Sequence, residues 1–188
     1  PDAEDKVNNI YKYDPQTSVL NSTDIEGDRV TLSFAATQVL KGIQDGKSSE
    51  DEQVDRLYDT LRAWEQLMQV SYVQQGLLEE PIDFNGDGKI DNTKLDKLNG
   101  KSETQFFNEN RAPRNRMNIK YQRMFTGAFM YASSHHVGIG YNSIPQMMQG
   151  VSFKFDANGN LVNTDGNLFG WGIGHEVGHV HDRPGLTY

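Results

Sequence analysis

Two histidines four residues apart come within reach of one ion only on an α-helix, where a single turn separates them, whereas on a strand they would stand roughly 13 Å apart, so "GWGIGHEVGHVHD" (170–182) constrains the fold more than any other stretch of this chain. It holds three of the five histidines, His175, His179 and His181, around one glutamate, Glu176. On a helix, His175 and His179 project one turn apart and can grip a single zinc ion, with Glu176 beside the first of them. From there the glutamate can take a proton from water and later deliver it to a leaving amine. A chance H-E-x-x-H in a core helix would have the same letters. In a terminal helix of a chain otherwise poor in histidine, the pattern favours His175 and His179 as metal ligands and Glu176 as general base.

The rest of such a site is harder to find. A third histidine six residues past the second is excluded, because Gly185 stands there. Asp182 lies roughly 10.5 Å along the axis from His175, at about 1.5 Å per residue, which suits a ligand-supporting or helix-end role better than direct ligation. His181 points off the metal face, and Trp171 reads as a core anchor. The expected third ligand is a glutamate on a following helix, as in zinc sites built from two His and one Glu, and it would lie beyond Tyr188. Gly170, Gly174 and Gly178 form a stripe with Gly172 between them, which predicts close approach by another backbone.

The chain has no cysteine, so a disulfide framework and thiolate zinc are excluded and His, Asp or Glu must hold any transition metal. Its 36% hydrophobic content suits a packed core. No apolar run approaches the roughly 20 residues of a membrane span. The opening "PDAEDKVNNIYKY" has neither an initiator methionine nor a charged-then-apolar leader, as expected of a piece of a longer chain. Residues 1–100 carry 20 acidic and 10 basic side chains, against 6 and 8 in residues 101–188. That acidic field disfavours nucleic acid as a partner. The short "RAPRNR" (111–116) reads as a solvated loop or an ion-pair partner of the acidic half.

Hydrophobic spacing places a strand over 28–34, where Val30, Leu32 and Phe34 alternate, and then a short helix in "AATQVLKGI". A capping box at Ser49 and Glu52 opens a long amphipathic helix running to about residue 76, its stripe including Val54, Leu57, Tyr58, Leu61, Trp64, Leu67 and Met68. A loop (79–100) and a polar, poorly patterned segment (101–115) follow. "NIKYQRMF" and "GAFMYASSHHVGIGY" read as β-rich, "SIPQMMQG" as a turn or short helix, and "VSFKFDANGNLVN" as a hairpin turning at Asn158-Gly159.

The loop contains "DFNGDGKID" (83–91), which matches the start of a calcium loop: Asp83, Asn85 and Asp87 at positions 1, 3 and 5, Gly88 at 6, the Lys89 carbonyl at 7 and Asp91 at 9. Lys94 occupies position 12, where an acid belongs, so Glu79, Glu80 or Asp96 would have to complete the site. The alternatives are structural calcium and a plain Asn-Gly-Asp-Gly turn.

The stretch 124–185 resembles the enhancin-like zinc metallopeptidases, viral and bacterial mucin-degrading enzymes. The resemblance rests on "GWGIGHEVGHVHD", which is much narrower than H-E-x-x-H, and on "MFTGAFMYASSHHVGIGY". It implies a gluzincin-type α+β fold: a mixed sheet with an active-site helix at about 168–182 and an edge strand beside the cleft. Residues 1–188 would be the N-terminal part of one such catalytic domain. It also implies a secreted or cell-surface bacterial enzyme, part of a larger protein, that cuts the peptide backbone of O-glycosylated mucin-type proteins and reads glycan near the cut. "YASSHHVGIGY" (131–141) is the candidate edge strand, where Gly138 and Gly140 would admit a substrate backbone, with His135, His136 and Tyr141 at hand to contact it. A buried strand with one satisfied histidine fits the same residues. The rival from another class is a calcium-stabilised glycan-binding or adhesion module without catalysis. An inactive fragment of the peptidase, lacking its third ligand, is compatible with the first reading.

Overall fold

The computed structural model describes residues 20–122, 124, 128–133, 135–162 and 171–181. A five-stranded mixed sheet carries helices on one face. Its strands are β1 (Ser22–Glu26), β2 (Val30–Ala35), β5 (Met117–Gln122), β6 (Met130–Ser133) and β7 (His136–Gly140), in the order β1-β2-β5-β7-β6. β2, β5 and β7 run parallel, while β1 and β6 pair antiparallel at the two edges. A two-stranded ribbon, β3 (Lys94–Leu95) with β4 (Lys101–Ser102), stands apart.

Strand alternation divides the sheet into an apolar face and a polar one. Val30, Leu32, Phe34, Ile119, Val137 and Ile139 are fully buried and in register across β2, β5 and β7. The opposite face carries Thr31, Ser33, Asn118, Lys120, Gln122, His136 and Tyr131, half-buried. The expected strand over 28–34 is β2. β1 went unread because only Ile25 of its five residues is buried, so it offers no alternation.

α1 (Ala36–Gln44) and α2 (Glu50–Gln74) cover the apolar face. The capping box at Ser49 and Glu52 is formed, and α2 buries Leu57, Trp64, Leu67, Met68 and Tyr72. Each large apolar side chain so buried contributes about 1.5–3 kcal/mol. The stripe's polar atoms are satisfied: Thr60 Oγ1 donates to the Met148 carbonyl at 3.0 Å and Trp64 Nε1 to that of Met147 at 3.4 Å. Both acceptors lie at the end of α4 (Ile144–Met147), the expected short helix. α1 reaches α4 across Gly42, where a Cβ would stand 2.6 Å from the Pro145 carbonyl oxygen.

Two expectations are corrected. The segment 101–115 contains a helix, α3 (Glu103–Glu109), capped by the Ser102 side chain. It escaped reading because its buried member, Glu103, is charged. Residues 151–162 hold one isolated bridge, Phe155 to Leu161, and no paired strands. Phe155 is 61% exposed, so the alternation there has no apolar face to join. Asp156 folds the turn instead, accepting from the backbone of Asn158 and Asn160.

Candidate metal centre

α5 (Trp171–His181) is the histidine helix. It forms because Ile173 and Val177, four residues apart, enter the core at 1% and 0% exposure, with Val180 packed against the same cluster. Burying that stripe turns His175 and His179 outward. Their Nε2 atoms lie 3.0 Å apart and their rings meet at 83°, with centroids separated by 4.4 Å. Glu176 is half-buried beside them. The side chains of Trp171 and His181, together with Gly170 and Asp182, lie outside the described residues.

The histidine pair fits zinc. Two Zn–N bonds of roughly 2.0–2.1 Å at a tetrahedral angle hold their nitrogens about 3.3 Å apart. The observed 3.0 Å is close enough for a small rotamer adjustment to close on an ion. Among the described residues no cluster of three or more His, Asp or Glu forms a complete metal site. The described residues that could hold a metal here are the pair His175 and His179.

His175, Glu176 and His179 line one side of a hollow of about 450 Å³, and Met130, Tyr131, Ala132 and Ser133 line the other. The wall opposite the histidines is thus β6, an edge strand whose described pairing is with β7 alone. A hollow of similar size, about 490 Å³, lies between α2 and residues 149–154, but it brings no histidine to its charged lining.

The edge therefore falls within 131–141, but only its first part forms it. Gly138 and Gly140 belong to β7, which is paired on both sides and cannot accept a further strand. Gly138 serves another purpose: the Tyr131 ring lies over it. His136 projects to the polar sheet face, opposite α5, with Nε2 2.9 Å from the Tyr131 hydroxyl. Burial, then the charges of Lys120 and His135, push its pKa below the usual histidine value. His135 lines a separate hollow with Tyr72, Arg116 and Val180. Tyr141 lies past the end of β7, where its hydroxyl meets Thr37 Oγ1 at 3.4 Å. None of Gly138, Gly140, His135, His136 and Tyr141 lines the histidine cleft.

The glycine stripe is corrected too. Gly174 and Gly178 have nothing among the described residues within 4 Å of a would-be Cβ, and only Gly172 is approached, by Met130 Sδ at 3.2 Å and Phe129 Cε2 at 3.4 Å. Among the described residues, the side chains of Phe129 and Met130, not a second backbone, meet the helix at Gly172.

The 83–91 loop is folded on itself. Asp83 accepts from the N–H groups of Gly86 and Gly88, and Asp87 from that of Lys89. The hydrogen bonds from Gly88 and then Gly86 hold the Asp83 carboxyl below the usual range. Asn85 Nδ2 lies 3.4 Å from Asp91 Oδ2. Among the described residues no carboxylate completes a cation shell. Lys94 opens β3, and Glu79 is paired with Arg29 at 2.6 Å. The acid that reaches the loop is Glu103, missed in the sequence because it lies twelve residues past Asp91. Buried to 1% exposure, it accepts from the N–H groups of Phe84, Asn85 and Asp91. The basic segment is in part the expected ion-pair partner: Arg116 meets Glu26 at 3.6 Å.

No family model matches the chain, and no curated protein does. Solved structures do. The ZmpB metallopeptidase from Clostridium perfringens is similar over 100% of this chain, with a TM-score of 0.60 at 16% identity. The catalytic module of the metalloprotease ZmpA from the same organism is similar over 79%, at 0.51 and 12%. A ZmpB structure joining the M60 catalytic domain to CBM51-1 and CBM51-2 domains is also similar over 79%, at 0.50 and 13%. The chain spans 28%, 24% and 13% of those solved chains. Its α+β fold is that of M60 metallopeptidase catalytic modules.

Proposed function

We propose that this chain is the N-terminal part of the catalytic domain of a secreted zinc endopeptidase, and that the whole protein cuts the peptide backbone of O-glycosylated, mucin-type proteins. The observation that carries this reading is the His175–His179 pair, its Nε2 atoms 3.0 Å apart and turned into a cleft walled by an edge strand. The fold likeness to metallopeptidase modules, one of them joined to CBM51 domains, supports the enzyme class, the extracellular setting and glycan near the cut.

His175 and His179 would hold the zinc, and a glutamate outside the described residues would complete the set. The bound ion supplies a Lewis acid for the scissile carbonyl and makes water more acidic. Substrate enters extended and pairs its backbone with the open edge of β6, which aligns the scissile bond along α5. Glu176, on the cleft side of the helix, takes a proton from the attacking water and returns it to the departing amine. A glycan-binding module would need no such base between two ligands. Calcium in the 83–91 loop is not part of the proposal, since Glu103 already fastens the loop.

The test is digestion of an O-glycosylated mucin peptide, and of the same peptide stripped of glycan, by the full-length protein. New N-termini from the glycosylated peptide alone support the reading. Equal cutting of both contradicts the substrate class, and cutting of neither contradicts the activity.

A further inference from the structure

Tyr131 reaches inward from the sheet edge across two strands. Its cross-strand neighbour on β7 is Gly138, and a Cβ there would stand 2.0 Å from Tyr131 Cε1. Only a glycine leaves room for the ring to lie flat on the strand. Beyond it, the Tyr131 hydroxyl donates to Gln122 Oε1 of β5 at 2.5 Å. With its hydrogen committed there, the oxygen accepts from His136 Nε2, 2.9 Å away on β7. The His136 ring also meets the Tyr131 ring edge to face, with centroids 5.5 Å apart. One side chain on the edge strand is thus fixed to β7 and β5 together.

That strand needs an anchor. β6 has four residues and one described strand neighbour, and elements with so few partners open locally at low cost. Among the described residues it also packs against α5, where Met130 meets Gly172. If it moved, the wall facing His175 and His179 would move with it.

We infer that Tyr131, seated on Gly138 and bonded to His136 and Gln122, is a positioning residue that holds the edge strand in place opposite the histidine pair. This rests on the peptidase reading for its functional consequence. Tyr131 does not touch the reacting atoms, because its hydroxyl is committed on the sheet face away from α5. It acts by presenting substrate with an already ordered strand, so that binding bears less of the cost of ordering.

The test is Tyr131→Phe in the full-length protein, read by steady-state cleavage of an O-glycosylated mucin-type peptide and by amide exchange. Loss of both hydroxyl hydrogen bonds, offset in part by water, should raise KM about fivefold and speed exchange at residues 130–133 by a similar factor. Exchange in β2 and β5, kcat and zinc content should stay at wild-type values, while Tm falls slightly with the lost hydrogen bonds. Unchanged exchange at 130–133 overturns the inference. So does a fall in kcat at constant KM, or faster exchange throughout the sheet, which would mark a merely structural role. If the wild-type protein cuts nothing, the peptidase reading fails separately. Exchange at 130–133 then still decides whether Tyr131 holds the strand.

Discussion

His175 Nε2 and His179 Nε2 lie 3.0 Å apart on the exposed side of α5, while Ile173 and Val177 on its other side are sealed in the core. The helix cannot rotate to hide the histidines without exposing that stripe, so the pair is presented by packing. Replacing either histidine with alanine should lower zinc affinity by more than the roughly 10–100-fold that loss of a supporting outer partner costs. Competition with a chelator measures this, and Tm should hold, since neither ring is part of the core.

Gly174 and Gly178 meet no described neighbour at a would-be Cβ. Alanine at either position should stabilise the helix by about 0.5–1 kcal/mol, because glycine's extra unfolded freedom is removed without a clash. Urea unfolding reads the change. Destabilisation would mean that another backbone does approach this face.

How much of this was visible beforehand follows from what each residue signals locally. The helix from Ser49 to Gln74 announced itself through its capping box and apolar period, and H-E-x-x-H placed His175 beside His179 because four residues on a helix fix their separation. Edge and interior strands could not be told apart. Residues 130–140 read as one β-rich run, and only register shows that it folds back, placing Met130–Ser133 outside and His136–Gly140 inside. Tyr131 and Glu103 were missed for a related reason: each acts on residues distant in sequence or in a neighbouring strand. The one available hint was glycine at 138, for which a cross-strand aromatic is a physical explanation.

Three carboxylates, Glu52 and Asp156 exposed and Asp83 half-buried, fasten turns through hydrogen bonds that lower their pKa. Glu52 accepts from the backbone of Ser48 and Ser49, Asp83 from Gly88 and Gly86, and Asp156 from the Asn160 side chain and backbone. A carboxyl whose folded pKa is depressed contributes stability above its unfolded value, near 4, and loses it as pH falls through the folded value. Urea midpoints should therefore stay level with respect to these groups above about pH 5 and fall below about pH 4. Glu52→Gln should flatten part of that fall.

Glu103 offers a test of what holds the 83–91 loop. Glu103→Ala removes the acceptor from three backbone N–H groups, each orphan costing about 1–3 kcal/mol before water recovers part of it. A loss of about 3 kcal/mol is expected in urea unfolding. With Glu103 as the fastener, the wild type should melt at the same temperature with and without EGTA. A drop in EGTA would assign the loop to calcium instead.

The central claim is that His175 and His179 hold zinc for hydrolysis driven by Glu176. The most direct measurement is cleavage of an O-glycosylated mucin peptide by the full-length protein and its Glu176→Gln variant, with zinc content determined on both. The account predicts one zinc per chain in each, and turnover reduced about 10²–10⁴-fold in the variant. Equal turnover by the two proteins, or cleavage by protein that carries no zinc, would contradict it.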